Sequence, residues 1–287
     1  MDILIFGGDE RQISAAERLR ALGHTVSLSA FDKAAEAGAD NIKNGIGEEW
    51  DAVVFPLPFT RDKVTVNCPL SSDTHEIQKV LSGISPGTVV LAGMIDRYVR
   101  HAFEDRRLDI TDYYDSNEIQ IKNAVPTAEA AIGIFIERLP ITLMGSKCSV
   151  IGYGRVARAL ALRLKALGAT VTVAARSSSA LALSECEGMI PIILDRYSKG
   201  KTGDDCIFNT VPSNIFDESF AENVKKNALF VDLASMPGGV TSECKEALGS
   251  RYIFTSSLPG KTAPVTSGRI IADTIDSILR SKKRGIQ

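Results

Sequence analysis

Short apolar runs alternate along this chain with segments in which apolar residues recur every three to four positions, and the two patterns predict different elements. The runs predict strands at 2–6, 25–31, 51–55, 88–93 and 108–112 in the first half. A second set is predicted near 147–151, 170–175, 204–208, 228–232 and 251–255. Helices fill most of the gaps. Such alternation is the pattern of parallel sheets with crossover helices, an α/β fold.

The stretch IFGGDERQISAAERLRALGHTVSLSAFD aligns with VIGYGRVARALALRLKALGATVTVAARS at a constant offset of 145, which places Gly7 on Gly152, Leu22 on Leu167 and Gly23 on Gly168. Shared ancestry or one stereochemical recipe for strand, turn, helix and strand would each produce this match. Between the halves, NAVPTAEAAIGIFIERLPITLMG predicts a crossover helix that starts at Pro126–Thr127, with Thr127 as its cap, and ends at Pro140. APVTSGRIIADTIDSILRSKK predicts a second long helix, apolar at Ile270, Ile271, Ile275, Ile278 and Leu279.

The second half carries a G-x-G-x-x-A turn, Gly152, Gly154 and Ala157, between a short apolar strand and a helix, with the next strand about 16 residues on. The spacing alone is a weak signal; its context makes it a dinucleotide turn. Gly152 permits the tight turn, Gly154 lets backbone approach a pyrophosphate, and Ala157 allows close helix packing. Where an acid would bind the ribose of NAD, the second strand ends on Arg176, followed by Ser177, with no acid nearby. A guanidinium and hydroxyls suit the 2′-phosphate of NADP, although an exposed arginine at a strand end is the plainer alternative. The first half has Asp9 and Gln12 where the second has Gly154 and Ala157, so no dinucleotide is expected there. Its Arg11 and Gln12 are candidates for a smaller anion such as a substrate carboxylate, with a purely structural turn as the equal alternative.

The expected architecture is therefore two Rossmann-like, doubly wound parallel-sheet domains joined by crossover helices, with an interdomain cleft. The divisions are 1–122, a substrate domain completed by the helix at 264–284; 123–145, the crossover helix; and 146–263, the NADP-binding domain. Length agrees: 287 residues exceed what one modest core requires. A net charge of −2 and the absence of low-complexity runs argue against a nucleic-acid partner. No run approaches the roughly 18 apolar residues of a membrane span, and Ile3 to Phe6 is too short for a signal peptide, so a cytoplasmic protein is expected. Five scattered cysteines lack C-x-x-C spacing and read as buried free thiols, so no metal is expected. The terminal RSKKRG complements a helix dipole or forms a basic patch.

Taken in order, GGDERQ, AVPTAEAAI, GYGRVA, AARSS, NTVPS, DLASMPGG and LPGKTAPVTSG make the chain resemble, nearly end to end, the dipicolinate synthase A-subunit family of spore-forming bacteria. The resemblance implies an NADP-linked oxidation that aromatises dihydrodipicolinate, a small cyclic dicarboxylate derived from the lysine pathway, in the mother cell during sporulation. It also implies a partner, the flavoprotein-like B-subunit of dipicolinate synthase; a homo-oligomer stays open. NTVPS and DLASMPGG follow strands of the cofactor domain, so the expected cofactor contacts are Gly152, Gly154, Arg155, Val156, Arg176, Ser177, Asn209, Thr210, Val211, Pro212, Asp232 and Ala234.

An ordinary 2-hydroxyacid dehydrogenase needs a histidine base. Here His24 sits at a helix-to-strand turn, and His75 and His101 read as helical and exposed. Aromatising a dihydropyridine asks less: loss of a hydride and a ring proton, with two carboxylates held. The candidates are Arg11, Gln12, Thr127 and Thr262 for the substrate, with Glu129 and Lys261 as catalytic groups; Glu129 as a helix-dipole partner and Lys261 as a solvated loop residue are the alternatives. Rival readings are another NADP-dependent dehydrogenase of a small carboxylated substrate, and a noncatalytic NADP-binding regulatory or scaffold subunit.

Overall fold

The computed structural model describes residues 1–37, 42–43, 45–47, 49–255, 257–283 and 285. The chain divides into two compact units, residues 1–123 with 263–287, and residues 124–262.

Unit 1 runs β1 (Asp2–Phe6), α1 (Glu10–Ala21), β2 (Thr25–Ser29), β3 (Ile42–Lys43), β4 (Ala52–Val54), α2 (Ile77–Ser82), β5 (Val89–Ala92), α3 (Arg97–Glu104) and β6 (Ile110–Asp112). Its six strands are parallel in the order β3-β2-β1-β4-β5-β6. Both faces are covered, as an all-parallel sheet requires. Ile3 and Ile5 of β1 pack with Ala15, Ala16 and Leu19 of α1, while Leu4 and Phe6 join Val53, Val90, Val99 and Phe103 on the other face.

α4 (Asn117–Arg138) leads into unit 2, where β7 (Lys147–Ile151), α5 (Arg155–Ala166), β8 (Thr170–Ala175), α6 (Ser178–Cys186), β9 (Ile190–Ile193), α7 (Leu194–Lys199), β10 (Cys206–Asn209), α8 (Glu218–Asn223), β11 (Leu229–Asp232), α9 (Ser242–Leu248), β12 (Tyr252–Phe254) and α10 (Leu258–Thr262) follow. The sheet order β12-β11-β10-β7-β8-β9 repeats that of unit 1, again all parallel. Finally α11 (Pro264–Lys283) packs on α1 in unit 1 through Ile271, Ala272, Ile275 and Leu279. The helices cross closely at Gly268, where a Cβ would stand 2.6 Å from the Ser14 Cβ, so only glycine fits the contact.

The 145-residue offset holds in three dimensions. α1 and α5 begin and end at matching positions, and Gly7 and Gly152 have φ of 72° and 89°, the left-handed region glycine favours. Each also donates its N–H across to the second strand, Gly7 to Ser29 at 2.9 Å and Gly152 to Ala174 at 2.8 Å.

Two sequence expectations need correction. The crossover helix does not start at Thr127: α4 begins at Asn117 and carries Pro126 inside it. A proline signals a helix start because it lacks an N–H and sets a helical φ, yet a helix packed on a core tolerates the missing bond. Thr127 is thus an interior residue, not a cap. The apolar pattern also missed β9, whose IPII sequence holds a proline that argues against a central strand; β9 is an edge strand, where proline is allowed.

Candidate functional site

In each sheet the strand order reverses beside the first strand, and ligands of such folds collect outside the carboxyl ends of the strands at that point. In unit 2 the reversal lies between β7 and β10. There a Cβ on Gly152 would stand 2.8 Å from the Thr210 Oγ1, so any other residue would be strained at this left-handed position. Gly154 differs: it is the N-cap of α5, its φ of −78° is open to any residue, and a Cβ there would meet nothing within 4 Å. No side chain caps this helix, and the space beside Gly154 is open, as a pyrophosphate cradle requires. These residues fit a dinucleotide. Arg155 and Val156 follow on the first turn, and Ala157 is fully buried against the sheet.

Arg176 follows β8 directly, exposed, and its guanidinium has no partner among the described residues. It lines a pocket of about 250 Å³ together with Asp195, Lys199 and Asp217. The expectation of an acid-free surrounding therefore fails, because the sequence cannot show that α7 and α8 bring their carboxylates here. Both are already engaged: Asp195 pairs with Lys199 at 2.6 Å, and Asp217 accepts the Ser219 hydroxyl at 2.6 Å. Ser177 caps α6 through the Ala180 N–H, and its hydroxyl lies 2.6 Å from that of Ser179.

The two following loops are held by a buried network. Asp232 is fully buried and accepts from the Asn209 Nδ2 at 2.8 Å, the Gly239 N–H at 2.8 Å, the Tyr252 hydroxyl at 3.1 Å and the Ala234 N–H at 3.2 Å. Asn209, also fully buried, spends its remaining capacity on Val211 backbone. Both side chains are fully buried and the Asp232 carboxylate already accepts four hydrogen bonds; they shape the loops, and Ala234 is buried with them. Thr210 ties back to the Ile151 carbonyl, leaving Val211 half-buried and Pro212 exposed at the rim. A third support was not legible in the motif. Tyr153, between the two glycines, donates its hydroxyl to Glu187, which also receives Arg158 Nε at 2.8 Å from the first turn of α5. Burial, and then the Glu187 carboxylate, hold the Tyr153 phenol well above its ordinary range.

Unit 1 has the same turn with different occupants. Asp9 caps α1, accepts the Arg11 N–H, and forms a capping box with Gln12, whose Oε1 accepts the Asp9 N–H. The Arg11 guanidinium is almost wholly buried and grips Asp9 with Nε at 2.8 Å and Nη2 at 2.9 Å, while Nη2 also donates to the Leu57 carbonyl. Arg11 is therefore not placed to receive a substrate carboxylate, because the chain's own carboxylate already fills that role, whereas the buried Gln12 Nε2 has no hydrogen-bond partner among the described residues. Arg11→Ala should cost about 3 kcal/mol of stability by stranding Asp9. A denaturant midpoint equal to that of the wild type, together with weakened dicarboxylate binding, would restore Arg11 as the anchor.

The segment after Asn67 packs against this turn at Cys68 and is tied to Asp32 through Ser71 and Ser72. A Cβ on Gly7 would overlap the Cys68 sulfur, which the Gly8 N–H contacts; burial pushes this thiol up to about 12. Asp32, close after β2, accepts the Ser72 hydroxyl and, at 2.8 Å, the Ser71 hydroxyl; these two bonds hold its carboxyl well below the usual range. Ser71 also meets His75 Nε2 at 3.0 Å. His75 thus corrects the sequence reading, being half-buried, ahead of α2 and stacked edge-on to Phe6. His101 is exposed on α3, as read. His24 bonds Asp276 at 2.9 Å.

Glu129 lies mid-helix in α4, exposed and 3.4 Å from Arg163, so the helix-start reading does not suit it. Lys261 is exposed on α10, and the Thr262 hydroxyl is used by the Leu258 carbonyl. Among the described residues no group of three or more His, Cys, Asp or Glu could hold a metal ion, and no helix is long and apolar enough to cross a membrane.

Two all-parallel Rossmann-like units, the second with an open glycine-rich turn, define the class: an NAD(P)-binding α/β protein. Residues 139–243 match a putative NAD(P)-binding family, and residues 2–114 match the N-terminal domain of the dipicolinate synthase A-subunit. The chain is 28% identical over 284 residues to the dipicolinate synthase A-subunit of Bacillus subtilis, covering 97% of this chain and 96% of that one. The crystal structure of the dipicolinate synthase A-subunit from Bacillus halodurans superposes with a TM-score of 0.87 at 28% identity, covering 97% of each chain. A transhydrogenase from Sinorhizobium meliloti shares the fold at 14% identity, with a TM-score of 0.66 over 98% of this chain and 93% of that one. The likeness to dipicolinate synthase A-subunits thus runs along nearly the whole chain, and residues 2–114 match the model of that subunit's N-terminal domain.

Proposed function

We propose that this chain oxidises dihydrodipicolinate to dipicolinate with NADP, in the cytoplasm of a sporulating mother cell, alongside the flavoprotein-like B-subunit. The observation that carries the cofactor half is the contrast between the two turns: Gly154 leaves the end of α5 open, whereas Asp9 closes that of α1. Bound NADP supplies the hydride acceptor. On this reading the α5 N-terminus holds the pyrophosphate, and unpaired Arg176 takes the 2′-phosphate. The substrate half rests on the family, since aromatisation drives the reaction and asks mainly for two carboxylates to be held.

One observation favours a rival. Glu129 is exposed and ion-paired and Lys261 is exposed, as a cofactor-holding component without chemistry of its own would allow. Purified chain with dihydrodipicolinate and NADP, with and without the flavoprotein-like partner, separates the readings. NADPH and dipicolinate absorbance should rise together in the complete mixture. A rise with that partner alone, unchanged when this chain is added, would end the proposal.

A further inference from the structure

The reversal of strand order in unit 1 lies between β1 and β4, and the loop after β4 holds an arginine that the motifs did not single out. Arg61 is exposed, and its Nε donates to the Asn67 Oδ1 at 3.2 Å. Asn67 is itself fixed, donating Nδ2 to the Pro58 carbonyl at 3.2 Å and its backbone N–H to the Phe59 carbonyl at 2.9 Å. Its own carbonyl stands 3.5 Å from where a Cβ on Gly7 would lie, which puts the pair against the β1 turn. The Nη groups of Arg61 have no partner among the described residues.

The loop around Arg61 is built rather than loose. Asp62 accepts the Thr60 hydroxyl at 3.1 Å, the Val64 N–H at 2.9 Å, the Thr65 N–H at 2.8 Å and the Thr65 hydroxyl at 2.7 Å. The Asp62 carboxylate is therefore occupied and unavailable to its neighbour. Lys63, on the other side, reaches away to Asp96 at 3.2 Å. What remains is one guanidinium, oriented through Nε, with its terminal nitrogens free at the position where parallel sheets place ligands.

We infer that Arg61, oriented by Asn67, is the carboxylate-binding group of unit 1, taking one carboxylate of a small dicarboxylate between its terminal nitrogens. Arg11 cannot serve, being consumed by Asp9. Holding Nε leaves the guanidinium plane set in advance, so little freedom is lost when the carboxylate arrives. Asn67 acts through Arg61 and is a positioning residue. The inference rests on the dicarboxylate reading proposed above.

The test is calorimetric titration of the full chain, in the presence of NADP, with pyridine-2,6-dicarboxylate as probe. Arg61→Ala should weaken the probe about ten- to a hundredfold, the worth of a charge-assisted contact, while the melting temperature and NADP affinity stay at wild-type values. Arg61→Lys, which keeps the charge but loses the fork and so guards against misfolding of the alanine variant, should fall between. Asn67→Ala should weaken the probe only while Arg61 is present. Equal affinity in wild type, Arg61→Ala and Arg61→Lys would overturn the inference and leave the dicarboxylate reading intact. A wild type that binds no probe would overturn both.

Discussion

A Gly154→Asp variant should fold at least as stably as the wild type and lose more than about a hundredfold in dinucleotide affinity. The position accepts the side chain: φ is −78°, and a Cβ would meet nothing within 4 Å. Aspartate is also a better helix N-cap than glycine, by a few tenths of a kcal/mol. Unit 1 displays the outcome, since Asp9 at the matching position caps α1 and takes the Arg11 N–H. The same carboxylate would occupy the donors a pyrophosphate needs and repel its charge, a like-charge penalty on the order of several kcal/mol. Wild-type chain should accordingly titrate with one dinucleotide per chain, because unit 1 has both Asp9 in its turn and the Cys68 sulfur against Gly7. Two equal sites, or full affinity in the variant, would place the cofactor elsewhere.

Arg176→Asp should weaken NADP about ten- to a hundredfold and leave NAD far less affected. The loss corresponds to roughly 1.5–3 kcal/mol for a charged contact to phosphate. The side chain is unpartnered among the described residues, so no internal bond is broken by its removal. The bordering carboxylates are satisfied by Lys199 and Ser219. Lys199→Ala would free Asp195 and should therefore also lower NADP affinity, but by less. Wild-type chain preferring NAD in calorimetry would remove Arg176 from the role.

The cofactor turn was legible because its chemistry is local. Gly152, Gly154 and Ala157 lie within one turn of chain, and backbone stereochemistry ties their spacing to a left-handed φ, an open helix end and a close helix–sheet contact. The substrate side was not. Whether Arg11 meets a ligand or its own protein depends on Asp9 and on the Leu57 carbonyl 46 residues away, and a charge pattern cannot tell a free guanidinium from a spent one. Arg61 went unnoticed for the converse reason, since its value lies in the Asn67 and Pro58 groups that aim it.

By itself the sequence determined the alternation of strands and helices, the two-fold repeat and the identity of the open turn. The 145-residue offset reproduces the bounds of α1 in α5 because apolar period, caps and glycines act within a dozen residues. Tertiary structure alone decided where α4 begins, that β9 is an edge strand, and that Cys68, Ser71 and Ser72 pack on the β1 turn and on Asp32. Each of these turns on contacts between residues far apart in sequence, such as Ser71 with Asp32 across 39 positions, whose energies enter only once the sheet has closed. The physical reason is that local propensity sets which elements form, while burial and long-range hydrogen bonding decide which polar groups stay free for a ligand.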